Sequence, residues 1–397
     1  MEAFDAVVIG AGAVGTATSY YLAREGLKVA VVDRGEVCSG TSGACDGNIL
    51  VILKEPGPMI PLTVASIEQY KMLLDELGDT FDFHQRGSTL IAEDDGDVKF
   101  CGQLMEKQLK LGLPVRWLDQ QEIHSREPFL APDIPGAIEC DMDSSLNPML
   151  ATFAFARAAR QRGVVFKTNC PVLGITRNSS GEVSAVETAY GSIPTKNVIT
   201  CAGAWSNFIG KMVGVEIPII PRRGHILVME QAPRVARRKI SESKYAALKY
   251  QIPGFKIDPE MEQLGISLVC EPVDDGSLLL GSSREFAGYD SRVSLRVVEA
   301  IARRGRRFLP ALERMNVVRT YAGLRPYSVD HMPIIGPVPE VPGFYVAAGH
   351  EGEGIGLAPI TGLIIASYLT GREITYLPVS AVRYERFPRP AAEKTAG

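Results

Sequence analysis

Three glycines and one acid carry the first chemical signal of this chain. Gly10, Gly12 and Gly15 fall in the spacing G-x-G-x-x-G, and Asp33 closes the next apolar run. Each glycine has a task. The first makes a tight turn, the second lets backbone approach a pyrophosphate, and the third lets a helix pack close to a strand. Ala13 and Val14 open that helix, where free N–H groups and the positive dipole end stabilise an anion. Asp33 would accept from ribose hydroxyls, and Arg34 beside it could reach the adenine side. The implied chemistry is dinucleotide binding.

Such a motif means little without its strand–turn–helix–strand context, and here the context is complete. An apolar run from Ala6 to Ile9 leads into the glycines, a helical pattern continues through Arg24, and Gly26 stands where a helix should stop. The second apolar run, Val29 to Val32, delivers Asp33. A small, polar segment from Cys38 to Asn48 follows, suited to lie against a ligand. Near the other end, a strand pattern from Phe344 to Ala347 meets Gly349-His350-Glu351-Gly352-Glu353-Gly354, with a helix expected from Pro359 to Leu369. That second strand–glycine–helix unit would aim another helix N-terminus at the same ligand.

At 397 residues the chain is longer than one ordinary core, so two domains are expected. A formal net charge of −4 argues against a nucleic-acid or anionic-membrane surface. The basic cluster Arg303-Arg304-Gly305-Arg306-Arg307 backs onto Val297, Val298, Ile301 and Phe308 and reads as a solvated helix face. No basic and apolar leader precedes the first strand, and no apolar run is long enough for a membrane span, so a cytoplasmic location is expected. Seven scattered cysteines, never in C-x-x-C spacing, disfavour a disulfide framework, a zinc site and an iron–sulfur cluster.

Residues 61–77 have helical spacing, 81–92 read as a hairpin and 96–111 as a charged helix. Residues 127–148, rich in proline and acids, are expected to cross between domains. A helix over 149–162 and strands near 164–167, 172–177, 183–189 and 197–200 follow. Residues 217–320 change texture to apolar runs broken by turn signals, the pattern of antiparallel sheet. The expected architecture is α/β with an α+β second domain. A Rossmann-like nucleotide domain of residues 1–80, 147–216 and 321–397 would carry an inserted antiparallel-sheet substrate domain of residues 81–146 and 217–320.

Two glycine-rich helix starts at opposite ends of the chain suggest a long ligand held from both sides. In order, GAGAVG, VVDRG, TSGACDGN, ITCAGAWS, PRRGHI, GLRPYSVDHMPIIG and GFYVAAGHEGEGIGLAP resemble the D-amino acid oxidase family of FAD enzymes, over nearly the whole chain. That family includes glycine oxidase, sarcosine oxidase and D-amino acid dehydrogenases. CDGNILV, EPGP and GHEGEG look most like its flavin β subunits of hydroxyproline, proline and opine dehydrogenases. The resemblance implies FAD as cofactor and oxidation of the C–N bond of an amino acid or secondary amine, by hydride transfer to flavin N5. The FAD is expected to be non-covalent, since no cysteine follows Cys270 to tether it. A neutral amine needs no obligatory general base, and none is assigned.

The matched motifs also imply site residues. Cofactor contacts fall on the N-terminal unit and on Thr41, Ser42, Gly47, Asn48 and Ile49. Further contacts fall on Val172, Ala202, Gly203, Trp205 and Gly323, and on Gly349, His350, Gly352, Gly354 and Ile355. Arg325, in Gly-Leu-Arg-Pro, matches the arginine that pairs with the substrate carboxylate in glycine-oxidase-like members, and a guanidinium offers a carboxylate a two-pronged fork. The bland alternative is an arginine tying sheet to nucleotide domain by an ion pair. His225 is a second catalytic candidate or a packed core histidine; Asn48, Tyr245 and Glu353 are substrate-contact candidates. Cys45 is a candidate redox thiol or a small buried apolar residue. Where glycine oxidase carries a second arginine, this chain has Glu351-Gly352-Glu353, so added negative charge suited to a cationic or larger substrate is expected. Three versions stay open: a self-sufficient oxidase, a β subunit delivering electrons to α and γ partner subunits, and a non-catalytic subunit that keeps FAD for structure. An NAD-dependent dehydrogenase would leave the C-terminal glycine unit without a role.

Overall fold

The computed structural model describes residues 3–231 and 235–387. Its first sheet has six strands in the order Ile334–Pro337, Phe344–Ala348, Val198–Thr200, Ala6–Ile9, Val29–Val32 and Val165–Lys167. All pairs are parallel except the edge pair of Ile334–Pro337 with Phe344–Ala348. The central strands, AVVI and VAVV, are buried at every position, as continuous apolar runs require when both faces of a sheet are covered. Helices Ala13–Arg24, Pro148–Gln161 and Gly354–Thr370 pack together over it. Asn147 caps the second of these, its Oδ1 accepting from the N–H groups of Met149 and Leu150.

The second sheet has eight strands, in the order Val317–Ser328, Ile219–Met229, Leu278–Gly281, Val269–Pro272, Lys239–Glu242, Ser88–Ala92, Gly136–Cys140 and Val115–Asp119. It is antiparallel but for one parallel pair, Lys239–Glu242 with Ser88–Ala92. The two longest strands pair along their length and set Arg222 opposite Arg325 and Gly224 opposite Gly323. The boundary expected at residue 321 falls inside Val317–Ser328, so the strand bearing Arg325 belongs to this sheet throughout. A small antiparallel sheet, Val172–Arg177, Val183–Thr188 and Gly191–Pro194, adds a strand that sequence patterning did not anticipate.

Three local expectations are corrected. Residues 81–92 are not a hairpin: only Ser88–Ala92 is a strand, and its partners are Gly136–Cys140 and Lys239–Glu242. Phe81 and Phe83 instead pack on Tyr70, each ring centroid 5.8 Å away, which draws the preceding segment into the helix-side core. The C-terminal helix begins at Gly354, five residues before Pro359. Proline cannot donate to the carbonyl four residues back, and here the Ile355 carbonyl accepts from Tyr70 Oη at 2.6 Å. Tertiary packing supplies the bond that the sequence lacks. The basic stretch of helix Leu295–Phe308 is not merely a solvated face: Arg304 is buried and paired with Glu93 and Glu242, while Arg307 reaches Glu93 and Asp133. All seven cysteines are free. No helix among the described residues is long and apolar enough to cross a membrane.

Candidate functional site

One cavity of about 600 Å³ runs between the two sheets, a volume suited to a sizeable organic ligand. Its architecture starts at the N-terminal glycines. Gly10 has φ +113°, and a Cβ there would lie 2.4 Å from the Cys201 carbonyl oxygen. A Cβ on Gly15 would lie 1.9 Å from the Gly10 carbonyl oxygen, so Gly15 serves strand–helix packing and does not itself line the cavity. Gly12, Ala13 and Val14 do line it, at the start of helix Ala13–Arg24. Ser42 Oγ accepts from the Ala13 N–H at 3.0 Å, and Thr41 lines the same wall. First-turn N–H groups have no partner within their own helix, which makes this wall receptive to an anion.

At one end, Asp33 is held by two backbone donors, Ala11 N–H at 2.7 Å and Gly35 N–H at 2.8 Å. A carboxylate has further lone pairs on both oxygens, so these bonds orient it without exhausting it. Arg34 lies over the Trp205 ring at 4.2 Å, and Val172, Ala202 and Gly203 complete the wall. Tyr289 adds a side that sequence reasoning missed. Its ring is 5.7 Å from Trp205 and 5.4 Å from Phe208, and its hydroxyl donates to the Ala204 carbonyl at 3.0 Å. The stretch Phe286 to Tyr289 carried no spacing signal that could have placed it there.

The segment after Asp33 splits in two. Thr41 Oγ1 donates to the Leu324 carbonyl at 2.7 Å, and a Cβ on Gly323 would sit 2.6 Å from the Ala44 carbonyl oxygen; this clamps residues 41–46 to the strand bearing Arg325. Cys45 and Asp46 face the cavity. Burial pushes the Cys45 thiol well up, away from the thiolate that redox chemistry needs. Gly47, Asn48 and Ile49 turn away. The Gly47 N–H and Asn48 Nδ2 donate to Glu271 at 3.2 and 2.6 Å, and Ile49 packs towards Gly356. These residues therefore shape the loop from behind. Burial, and then the charge of Asp46, push the Glu271 carboxyl up to about 7.

The C-terminal unit brings His350, Gly352, Gly354 and Ile355 to the cavity, with helix Gly354–Thr370 starting there. Gly349 stands back, its backbone crossing close to Ile219 and Ser328. His350 is neutral, its pKa lowered to about 3 by burial, and its Nε2 is 2.9 Å from Thr361 Oγ1.

At the far end lies Arg325. Its guanidinium lies across Gly224, where a Cβ would come within 2.0 Å of Nη1, and Nη1 donates to the Ser283 carbonyl at 2.8 Å. No carboxylate among the described residues pairs with it, so the structural ion pair is not what this arginine makes. Burial first, then the charge of Arg284, lower its pKa.

The two extra glutamates do not leave negative charge exposed. Glu351 accepts from Arg222 at 3.0 Å and lies 2.9 Å from His331 Nδ1. Burial would raise its carboxyl, but His331 and Arg222 hold it below the usual range. Glu353, which does not line the cavity, pairs with Lys54 at 2.7 Å and Lys249 at 2.9 Å; these two override burial and keep it ionised. The expected negative surplus is corrected to neutralised pairs, because buried carboxylates persist only with partners. Tyr245 sits under Arg284, 4.1 Å from ring to guanidinium, and does not line the cavity. His225 likewise does not line it, although its neighbours Gly224 and Ile226 do: wholly buried, its Nε2 accepts from the Ser294 N–H at 3.1 Å and its Nδ1 meets Ser283 Oγ at 2.9 Å. Burial lowers its pKa to about 4, and with both ring nitrogens occupied it is a packed core histidine.

The residues present fit a dinucleotide: an oriented acid at one end, two helix N-termini between, and backbone cleared by glycines. A family model described as FAD-dependent oxidoreductase, DAO, matches residues 5–368. The chain is 29% identical to hydrogen cyanide synthase subunit HcnC of Pseudomonas aeruginosa, covering 99% of both chains. It is also 29% identical to glycine oxidase of Bacillus licheniformis, covering 96% of this chain and 97% of that one. The crystal structure of L-proline dehydrogenase from P. horikoshii superposes with a TM-score of 0.85 at 26% identity, covering 97% and 98%.

Proposed function

Because the chain belongs to the DAO family of FAD-dependent oxidoreductases, with FAD as its cofactor, we propose that it oxidises the C–N bond of a small amino acid or secondary amine whose carboxylate is held by Arg325. The observation that carries this reading is the state of Arg325: it lines the cavity, spends Nη1 on a backbone carbonyl, and has no carboxylate partner among the described residues. A half-buried guanidinium without a counter-charge is costly unless a ligand supplies one. Bound FAD supplies the hydride acceptor. Residues 1–80, 147–216 and the chain beyond Ser328 would form the FAD part, and 81–146 with 217–328 the substrate part. Asp33 would take the ribose and Arg34 with Trp205 the adenine flank. The helix start at Gly12 to Val14 would take the pyrophosphate, and the wall from Gly352 to Ile355 the rest of the cofactor.

The protein's own share is to orient and to exclude water. Arg325 fixes the carboxylate, and hence the neighbouring C–H, with a fork that stays charged in a dry pocket. His350 is neutral and engaged with Thr361, so it adds no charge near the reacting carbon. Anaerobic bleaching of the flavin band by glycine, sarcosine, D-alanine, D- and L-proline, hydroxyprolines and opines tests the reading. One class should bleach rapidly; no bleaching by any of them, with FAD bound, would refute it.

A second version concerns the electron acceptor. The relative HcnC is a subunit of a synthase, and its match extends over essentially the whole chain. That supports a catalytic subunit which delivers electrons to partner subunits. Oxygen uptake by the isolated chain separates the versions: brisk peroxide formation with a bleaching substrate points to a self-sufficient oxidase, and bleaching without reoxidation in air points to a partner.

A further inference from the structure

We propose that the site takes an amine bearing two carboxylates, the first held by Arg325 and the second by Arg284. This deepens the function proposed above and rests on it. The argument starts from geometry. Arg325 Nη1 donates to the Ser283 carbonyl at 2.8 Å, and Arg284 is the next residue along the chain. Gly224 makes that approach possible, since any side chain there would collide with the Arg325 guanidinium. Arg284 crosses the Tyr245 ring at 4.1 Å and gives Nη1 only to neutral acceptors, the Gly265 carbonyl at 3.3 Å and Ser267 Oγ at 3.2 Å. One helical turn beyond Tyr245, Lys249 reaches Glu353, next to Gly352 in the cavity wall.

The charges around this end do not balance. Arg222 is matched by Glu351, whereas Lys54 and Lys249 share the single carboxylate of Glu353. Arg325 and Arg284 have no carboxylate partner among the described residues, and Asp46 is the remaining acid facing this part of the cavity. Five cations therefore stand about this end against three carboxylates; of these eight groups Arg325, Asp46 and Glu351 line the cavity itself, and Arg284 follows the Ser283 carbonyl that holds Arg325. The excess is felt locally: after burial, Arg284 is the largest influence lowering the pKa of Arg325, and both arginines help to depress Arg222 to about 10. Tyr245 shows the same field. Burial would raise its phenol, yet Arg284, Lys249 and Arg325 together bring it below its usual value. Two surplus positive charges in a half-buried pocket are stabilised by a ligand carrying two negative ones. A neutral secondary amine with two carboxylates has that charge, and its nitrogen is in the form that hydride loss from the adjacent carbon requires.

The test uses a matched pair of probes on the FAD-loaded protein. Sarcosine and iminodiacetate share the glycine half, and differ in that the N-methyl of one carries a carboxylate in the other. Isothermal titration calorimetry should show iminodiacetate binding about 10- to 100-fold more tightly than sarcosine. Arg284→Gln should narrow that ratio to threefold or less, and Arg284→Lys should keep much of it at low salt. Equal affinity of the two probes for the wild-type protein overturns the proposal, as does an unchanged ratio in Arg284→Gln. Should Arg284→Gln not fold, the wild-type ratio still decides. The broader reading fails differently: if no amine of either charge bleaches the flavin, the oxidase function is lost. Bleaching by monocarboxylic amines with no preference for diacids removes only the second carboxylate site.

Discussion

The two ends of the cavity are built in opposite ways. The Asp33 end is made of backbone: Gly10 and Gly15 bring main chain within van der Waals contact of main chain, and two N–H groups orient the single carboxylate. The Arg325 end is made of long charged side chains from segments scattered over the chain, namely Lys54, Arg222, Lys249, Arg284, Arg325, Glu351 and Glu353. The first end can hardly vary without losing the fold, because backbone has no alternative conformers to offer. The second can exchange one charge for another and keep the same frame. On the function proposed above, cofactor binding would reside where the structure is rigid, and substrate choice where it is adjustable.

The largest effect should come from breaking the rigid end. Gly15→Val places side-chain carbon against the Gly10 carbonyl, where even a Cβ would lie at 1.9 Å. Helix Ala13–Arg24 must move off the sheet, at a cost of at least about 3 kcal/mol. The purified variant should lack flavin absorbance and melt well below wild type. A flavin-loaded variant with wild-type Tm would show that this end is more yielding than its contacts imply.

Next in size is the loss of a buried counter-charge at the adjustable end. Glu353→Gln leaves Lys54 and Lys249 facing each other with no carboxylate, and removing one member of a buried pair costs about 3–5 kcal/mol. Urea unfolding at pH 7 measures it. The sign with pH follows from the depressed carboxyl. Its contribution is present above the ordinary carboxylate pKa, about 4.3, and is lost as pH falls through the lower folded value, so the gap between wild type and variant should close only in acid. A gap that persists unchanged at low pH would assign the loss to packing.

Arg325→Ala should affect turnover and spare the fold. We expect kcat/KM to fall at least hundredfold, about 3 kcal/mol in the transition state, with FAD retained and Tm within a few degrees of wild type. Arg325→Lys keeps the charge without the fork and should recover a minor part. Unchanged turnover in Arg325→Ala would remove this residue from substrate binding and turn attention to Arg284.

The same contrast explains what could be read from the sequence. The strands Ala6–Ile9 and Val29–Val32 and the helix between them stand where the pattern placed them, because their determinants are neighbours in the chain. Arg325 was found through a short motif, and its pairing opposite Arg222 was not, because register is set across a sheet. Lys54 meets Glu353 across 299 residues, and no local spacing could announce it. The glutamates were visible and their neutralisation was not, which inverted the expected charge of the pocket. His225 stayed open between a catalytic and a core role in the sequence, because the partners that fix it in the core, Ser283 and Ser294, lie 58 and 69 residues away. Pro359 misplaced a helix start for a like reason, since its compensating donor, Tyr70, belongs to another helix.

The smallest predicted effect concerns the joint between the two ends. Glu271, on strand Val269–Pro272 of the eight-stranded sheet, holds the loop that follows the cavity-lining stretch 39–46 through Gly47 N–H and Asn48 Nδ2. Burial, then Asp46, raise its carboxyl to about 7, so the folded protein carries a proton there that the unfolded chain releases near pH 4.3. A raised carboxyl contributes fully below the unfolded pKa and loses its contribution as pH rises through the folded one. Stability should therefore decline between about pH 5 and 7, by at most about 1.4 kcal/mol per pH unit from this group. Glu271→Gln imitates the protonated acid, its amide oxygen accepting from the same two donors, and should flatten that slope while holding the loop in place. Urea unfolding of wild type and variant at pH 5, 6 and 7 measures the difference. Parallel slopes would mean that Glu271 is ionised in the fold, and that the joint is held by charge and not by a neutral hydrogen-bonded acid.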